Sequence, residues 1–184
     1  MRKLLLTSAG FKNKKIEMKF LELAATPKEN IKALFIPTAA ISDDAKAMIK
    51  VCRQDLVNAG VLEQHLITYD LDREFTCEEI CNYNVIYFCG GSPQHLLKRV
   101  NETKFNIMLN HFFNNGGIYI GVSAGSIIAA KNLEKNLGYI NCYLFVHKPN
   151  GTDCGILVTT GCPNVSLTDN QAILVSGDNI SIIG

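Results

Sequence analysis

The sequence predicts an α/β fold with a mainly parallel sheet, helices on both faces and a β-rich C-terminal third. Two observations lead to this prediction: apolar β-rich runs alternate with helical patterns over the first two thirds, and the last third is nearly all strand-like. Alternating strands and helices are typical of parallel sheets, because a crossover helix must return the chain to the same end of the sheet. We expect one domain over residues 1–184, a length that supports a sizeable core.

Two strand–helix pairs open the chain. KLLLTS and IKALFIPTA are short runs of β-forming apolar residues, and a helical pattern follows each of them. In the first helix, KNKKIEMKFLELAAT, the apolar residues Ile16, Phe20 and Leu23 recur at helical spacing. The second helix, SDDAKAMIKVCRQDLVNAG, has Ser42 as its predicted N-cap and Gly60 as its terminator.

Three further strands and their helices follow. EQHLITYDL is predicted to be a strand, and TCEEICNY a short helix with a capping box between Thr76 and Glu79. NVIYFCGG is apolar throughout, which predicts burial on both faces, and the helices PQHLLKRVNE and KFNIMLNHFFNNGG come after it. IYIGVS is the fifth strand, and AGSIIAAKNLE is the helix into which it leads.

The last third changes to strands separated by turns. The predicted strands are INCYLFVH, ILVTTG, QAILVSG and NISIIG. We expect the final two to form a hairpin around Gly177 and Asp178. This part of the chain is expected to extend or flank the parallel sheet.

The charge balance excludes several classes of partner. Lys and Arg number 18 and Asp and Glu number 17, without a basic stripe, so we expect neither nucleic acid nor a membrane to bind. The densest basic run, FKNKK, is interpreted as a solvated helix start. No apolar stretch approaches the roughly 18 residues that span a bilayer. The N-terminal apolar run is also too short for a secretory signal, so we expect a cytoplasmic protein.

The seven cysteines predict free thiols rather than disulfides. Their number is odd, no CxxC pair exists, and several lie in apolar runs such as VIYFCGG and INCYLFV. The absence of paired ligand spacing argues against zinc, and no phosphate-loop or dinucleotide fingerprint is present. We therefore expect no metal and no cofactor.

Unusual residues follow three of the predicted strands. These strand ends read TSAG, CGGSPQH and GVSAG. Ligands of parallel α/β folds gather at the carboxyl ends of the strands. We therefore expect the functional site to lie where these three segments meet.

Ser123 is the candidate nucleophile. Residues 121–125 fit G-x-S-x-G and lie between a predicted strand and a predicted helix, the context in which this motif displays a serine on a sharp turn. The N–H of Ala124 would then stand at a helix N-terminus, where it can face an oxyanion. The alternative is a tight strand–helix connection in which Ser123 only caps the helix.

A nucleophilic serine needs a base, and the chain has four histidines. His147 is the preferred candidate because it ends an apolar strand downstream of the serine. His65, within the third predicted strand, and His111, beside two phenylalanines, are interpreted as structural. His95 follows the CGGSPQ turn and can also face the site.

The base in turn needs an orienting carboxylate. Asp169 precedes a strand in SLTDNQAI and is preferred, with Glu134 and Asp153 as alternatives; a turn-forming role is the other interpretation of Asp169. In CGGSP, two glycines let the backbone approach a substrate closely, so the N–H of Gly91 is the candidate second oxyanion donor.

The order of these segments resembles one family of serine peptidases. YFCGGSPQHLL, GGIYIGVSAGSIIA, a strand that ends in histidine, and LTDNQAILV near the C-terminus are similar to the family that includes aspartyl dipeptidase and cyanophycinase. The resemblance spans almost the whole chain and implies a class I glutamine amidotransferase-like fold. It implies Ser123 as nucleophile and His147 as base, with the N–H groups of Gly91 and Ala124 as oxyanion donors.

The sequence also departs from aspartyl dipeptidases. Those proteins have an aspartate in a TND segment soon after the nucleophile helix, whereas this chain reads AAKNLEKNLG. The resemblance therefore favours Asp169 as the third member, with Glu134 as second choice. A substrate carboxylate would need a cationic partner, for which Arg99, Lys131 and Lys148 are the candidates.

The predicted function is a serine-type peptidase that hydrolyses small peptides, with N-terminal aspartyl dipeptides among the candidate substrates. A small peptide is the expected partner, and a homodimer is compatible with the sequence. The alternatives are a non-catalytic binding module of the same fold and an amidase or other acyl hydrolase.

Overall fold

A computed structural model describes all of residues 1–184 and contains ten strands and six helices. The strands are β1 (Lys3–Thr7), β2 (Ala33–Ile36), β3 (Leu66–Thr68), β4 (Val85–Phe88), β5 (Ile118–Val122), β6 (Tyr143–Phe145), β7 (Gly155–Ile156), β8 (Asn164–Ser166), β9 (Ala172–Ser176) and β10 (Asn179–Ile183). The helices are α1 (Lys14–Ala24), α2 (Asp43–Asn58), α3 (Cys77–Ile80), α4 (Pro93–Glu102), α5 (Phe105–Asn114) and α6 (Ala124–Ile127).

Eight strands form one sheet in the order β3-β2-β4-β5-β1-β9-β10-β7. The pairs among β1 to β5 are all parallel, and every residue of β2, β4 and β5 is buried. Continuous burial explains why these strands are apolar along their whole length, since both faces are covered. The predicted α/β class with a mainly parallel sheet is confirmed.

Two apolar clusters cover the two faces of the sheet. Along β4, Val85 and Tyr87 belong to one cluster and Ile86 and Phe88 to the other, as the period of two in a strand requires. Helices α1 and α2 contribute to the first cluster, and α4 and α5 contribute to the second. The predicted helices on both faces are therefore present.

The C-terminal third adds strands in two ways. The β9–β10 hairpin turns at Gly177, whose φ of 62° favours glycine, and β9 pairs antiparallel with β1. Strands β6 and β8 form a separate two-stranded parallel sheet. The β-rich tail thus both extends and flanks the main sheet.

The sheet order places three strand ends side by side. Strands β4, β5 and β1 are neighbours, and they run parallel. The segments after them, residues 89–92, 123–125 and 8–10, therefore meet at one edge of the sheet. These are the three segments that the sequence singled out.

The helix after β5 is shorter than predicted. Only Ala124–Ile127 is helical, and residues 128–131 form turns. The carbonyl groups of Ile128 and Ala129 accept hydrogen bonds from the N–H groups of Leu137 and Tyr139, so the folded-back chain replaces the next helical turn. The small apolar residues here are buried beneath that segment.

Two further strand predictions need correction. His65 lies in a short 3₁₀ turn, Glu63–His65, which precedes β3 rather than belonging to it. Of the predicted strand ILVTTG, only Ile156 belongs to a strand, the edge strand β7 (Gly155–Ile156), which pairs with β10. Strand β8 was not predicted from the sequence.

No helix in the structure combines the length and the apolar composition needed to cross a membrane. All seven cysteines are free, and Cys52, Cys89 and Cys142 are buried.

Candidate active site

Ser123 stands on a sharp turn between β5 and α6. Its φ of 48° and ψ of −99° lie outside the regions that non-glycine residues normally occupy. The glycines of the motif make this turn possible. A Cβ on Gly121 would lie 2.6 Å from the backbone of Gly125, and one on Gly125 would lie 2.6 Å from the Cβ of Phe88.

Hydrogen bonds to the end of β1 hold the turn in place. The N–H of Ser123 donates to the carbonyl of Thr7 at 3.0 Å. The buried hydroxyl of Ser126 lies 2.8 Å from the carbonyl oxygens of both Thr7 and Gly121. The turn at Ser123 is therefore tied to the end of β1 through the N–H of Ser123 and the hydroxyl of Ser126.

His147 and Asp169 complete a hydrogen-bonded series with Ser123. The Nε2 of His147 lies 3.1 Å from Ser123 Oγ, and its Nδ1 lies 2.7 Å from Asp169 Oδ1. His147 has a left-handed backbone, with φ at 56°, at the turn after β6. A hydroxyl, an imidazole and a carboxylate in this order form the arrangement that activates a serine nucleophile.

The carboxylate of Asp169 is partly exposed, and two of its partners are His147 and Lys12. His147 contacts Oδ1, and Lys12 Nζ forms an ion pair with Oδ2 at 3.2 Å. The hydrogen bond from His147, aided by the one from Lys12, holds the pKa of Asp169 below its ordinary value. Asp169 is thus ionised at neutral pH and can stabilise a protonated His147.

Two backbone N–H groups stand next to the serine. Ala124 is the first residue of α6, where an N–H has no intrahelical acceptor. Gly91 follows β4 with a φ of 139°, and its N–H donates to no backbone acceptor. A Cβ on Gly91 would lie 2.0 Å from the carbonyl oxygen of Ala39, so only glycine fits here. The roles of Gly91 and Ala124 as oxyanion donors remain predictions.

Ser8 belongs to the site as well, and the sequence analysis gave it no role. Its buried hydroxyl accepts the N–H of His147 at 2.8 Å and donates to Asp169 Oδ1 at 3.3 Å. The signal was present in TSAG, which follows β1. The TSAG segment was recognised as unusual. The residues that Ser8 contacts, His147 and Asp169, lie far away in the sequence, so their contact could not be predicted.

The alternatives do not join this series. Glu134 and Asp153 are exposed and make no hydrogen bond to His147. His95 follows the N-cap Ser92 in α4 and lines a neighbouring cavity together with Arg99. Asp169, the preferred carboxylate, is the one that contacts His147.

A cleft of about 200 Å³ opens beside Ser123 and His147. One wall consists of the strand ends, including Gly90 and Gly91, and the other consists of α2. Arg99, Lys131 and Lys148 do not line the cleft. The three predicted partners of a substrate carboxylate therefore lie outside it.

The fold is similar to solved structures of bacterial proteins. A protein of Listeria monocytogenes that carries the name peptidase E has a TM-score of 0.74 and 21% identity, with 100% of this chain and 98% of that chain covered. A peptidase from an acI-B1 actinobacterium has a TM-score of 0.70 and 18% identity, with 100% and 88% covered. At these identities the likeness establishes the fold.

Sequence comparison gives two curated relatives, both described as uncharacterized peptidases. The one from Pasteurella multocida is 27% identical over 115 residues, which are 62% of this chain and 55% of the relative. The one from Listeria monocytogenes is 29% identical over 100 residues, which are 54% of this chain and 48% of the relative. The chain spans about half the length of these curated relatives.

The family was predicted from the CGGSP and GVSAG segments and from the histidine and aspartate that follow them. A family model matches residues 4–139, which include both glycine-containing turns and, apart from Lys3, the parallel strands β1 to β5 of the main sheet. On this match over most of its length, the chain belongs to peptidase family S51.

Proposed function

We propose that the protein is a serine peptidase that hydrolyses small peptides, with Ser123 as nucleophile, His147 as base and Asp169 as the orienting carboxylate. The observation that supports this most is the hydrogen-bonded series from Ser123 Oγ through His147 to Asp169, which starts at a serine in a strained backbone conformation. Such strain is typical of functional sites. Family membership favours the same activity.

In the first half of the reaction, Ser123 Oγ attacks the peptide carbonyl while His147 Nε2 takes the hydroxyl proton. The carbonyl oxygen becomes an oxyanion, to which the N–H groups of Gly91 and Ala124 donate. His147 then gives its proton to the leaving amine, and the C–N bond breaks. The product is an ester between Ser123 and the acyl part of the substrate.

In the second half, water replaces the amine. His147 takes a proton from the water as its oxygen attacks the ester carbonyl, and the same N–H groups stabilise the second oxyanion. The bond between the acyl carbon and Ser123 Oγ then breaks, Oγ recovers its proton from His147, and the free acid leaves. Asp169 stays ionised throughout and stabilises the imidazolium in both halves.

The small volume of the cleft favours short substrates. At about 200 Å³ it lies below the roughly 300–1,000 Å³ of pockets that enclose drug-sized ligands. One substrate residue can occupy it beside the scissile bond. The expected partner is therefore a small peptide.

The test is hydrolysis of a dipeptide panel by the wild type and by Ser123→Ala, together with labelling by a fluorophosphonate. We expect the substitution to abolish labelling and to lower kcat/KM by at least roughly 10³-fold. Ser176→Ala is the matched control, because Ser176 pairs with Lys3 at the opposite end of β1 from the site. Failure of the wild type both to turn over any peptide and to be labelled would favour the binding-module alternative.

A further inference from the structure

The cleft beside Ser123 has one carboxylate, that of Asp55, in its wall. Asp55, on α2, is the only Asp, Glu, Lys or Arg among the residues that line it, and eight of the fourteen lining residues are hydrophobic. The hydrophobic wall of the cleft includes Met48, Ile49 and Val51 from the same helix. The cleft therefore combines an apolar wall with a single negative charge.

Hydrogen bonds hold the carboxylate of Asp55 through its Oδ2 atom, while its Oδ1 atom has no partner in the protein. Asp55 Oδ2 accepts the phenolic O–H of Tyr87 at 2.6 Å and the N–H of Phe11 at 3.0 Å. Tyr87 is fully buried and Phe11 nearly so, which fixes the direction of the carboxylate. Oδ1 accepts no hydrogen bond from the protein, yet it is not sealed from solvent.

No cation of the protein compensates this charge. Asp55 takes part in none of the nine ion pairs of the structure. Burial raises the pKa of Asp55, and the hydrogen bonds from Tyr87 and Phe11 oppose this shift. A partly buried carboxylate with one free oxygen and no counter-ion is well suited to bind a cation.

The same features disfavour an acidic substrate residue. A carboxylate in the cleft would face Asp55 at short range, in surroundings that screen charge poorly. Two of the candidate cationic partners of a substrate carboxylate have other contacts. Arg99 donates to the carbonyl of Leu71 and to Glu102, and Lys148 lies over the ring of Phe145. The aspartyl dipeptides considered from the sequence would therefore be poor substrates.

We propose that the cleft selects a substrate residue with an ammonium group, which binds Asp55 Oδ1 while its apolar stem contacts Met48 and Ile49. This selectivity rests on the proposed peptidase function. The ammonium has two possible sources, the side chain of a lysine-like residue and the free N-terminus of a short peptide. The chemistry of recognition is the same for both.

A substrate panel distinguishes these sources. Dipeptides with lysine, norleucine or aspartate before the scissile bond are compared, each with a free and an acetylated N-terminus. If the side-chain ammonium binds, lysine exceeds norleucine by roughly tenfold or more in kcat/KM, with or without acetylation. If the N-terminus binds, acetylation causes the loss and lysine equals norleucine. Aspartate as the preferred residue, or lysine and norleucine substrates cleaved equally well with no effect of acetylation on either, would overturn the proposal.

Asp55→Asn tests the residue itself. The amide oxygen can keep the hydrogen bonds from Tyr87 and Phe11, and the NH₂ group then replaces the free oxygen. We expect KM for the ammonium substrate to rise roughly tenfold and the selectivity for ammonium to disappear. Asp44→Asn is the matched control, since it removes the same charge from an exposed position of α2. Equal selectivity for ammonium substrates in Asp55→Asn and the wild type would contradict the proposal.

A binding measurement separates this inference from the proposed function. The n-butylammonium ion is added to the wild type and to both variants, and amide NMR signals of residues 45–55 are followed. Binding is expected in the wild type and in Asp44→Asn but not in Asp55→Asn, whether or not any peptide is hydrolysed. If Asp55→Asn does not fold, n-butanol added to the wild type serves as the neutral comparison. Equal binding of the alcohol and the ammonium would contradict the proposal.

Discussion

Ser8 Oγ accepts a hydrogen bond from the backbone N–H of His147 at 2.8 Å, although the two residues are 139 positions apart in the chain. The same hydroxyl contacts Asp169 Oδ1 at 3.3 Å. The small side chain of Ser8, directly after β1, thus holds the backbone of His147 and the carboxylate of Asp169 in position. Ser8 is a positioning residue, because it contacts the proposed base and its carboxylate rather than the nucleophile.

Replacing Ser8 by alanine should slow the chemical step. The loss of hydrogen bonds worth about 1–1.5 kcal/mol would lower kcat by roughly tenfold. KM should stay nearly unchanged, because the hydroxyl of Ser8 is hydrogen-bonded to His147 and Asp169 and not to the substrate. Steady-state kinetics measure this split, and thermal denaturation measures stability separately. A lower Tm with unchanged kcat would show that Ser8 only supports the fold.

Asp169→Asn should be far more damaging than removal of either alternative carboxylate. An amide can hold the imidazole in the wrong tautomer and does not stabilise its charged form, so we expect kcat/KM to fall by roughly 10³- to 10⁴-fold. Asp153→Asn and Glu134→Gln are the matched controls, because both side chains are exposed and neither contacts His147. A comparable loss in one of the controls would transfer the role to that residue.

Adjacent glycines provide a test of the turn after β4. Gly91→Ala places a Cβ 2.0 Å from the Ala39 carbonyl oxygen at a positive φ, whereas a Cβ on Gly90 meets its nearest atom at 3.4 Å. We expect Gly91→Ala to destabilise the protein by about 2 kcal/mol or more, a fall in Tm of roughly 4–8 °C. Gly90→Ala should change Tm little. Equal melting of the two variants would contradict the close backbone contact.

The stability of the protein should depend on the ionisation of Asp169 at acid pH. Its pKa is lower in the folded protein than in the unfolded chain, mainly because of the hydrogen bond from His147. The stabilisation is therefore present above the unfolded pKa of about 3.9 and is lost as pH falls through the folded pKa. The difference in Tm between the wild type and Asp169→Asn should shrink as the pH is lowered from about 5 through the folded pKa of Asp169. A constant difference would exclude this contribution.

The sequence was most informative where local signals coincide. Ser123 is the predicted nucleophile because a buried strand, two glycines and a helix start occur within a few residues of one another. His147 was preferred because it ends a strand, and Asp169 because it precedes one and matches the resemblance. Family resemblance then supplied the order in which these residues act.

Long-range contacts were not predictable in the same way. The role of Ser8 depends on a backbone N–H that only the folded chain brings near. Lys12 was treated as part of a solvated run, and its ion pair with Asp169 again joins distant segments. The short length of α6 was missed because small apolar residues suit a buried turn as well as a helix.

The two walls of the cleft differ in how freely they can vary. The wall of strand ends contains Gly91 and Ser123, whose strained or crowded backbones tolerate few substitutions. The opposite wall is one face of α2, where Met48 and Val51 are exposed side chains on a regular helix. Substitutions at such positions usually change stability by less than about 0.5 kcal/mol. If the cleft binds substrates as proposed, substitutions on this face of α2 would change the substrate selectivity and leave Ser123, His147 and Asp169 unaltered.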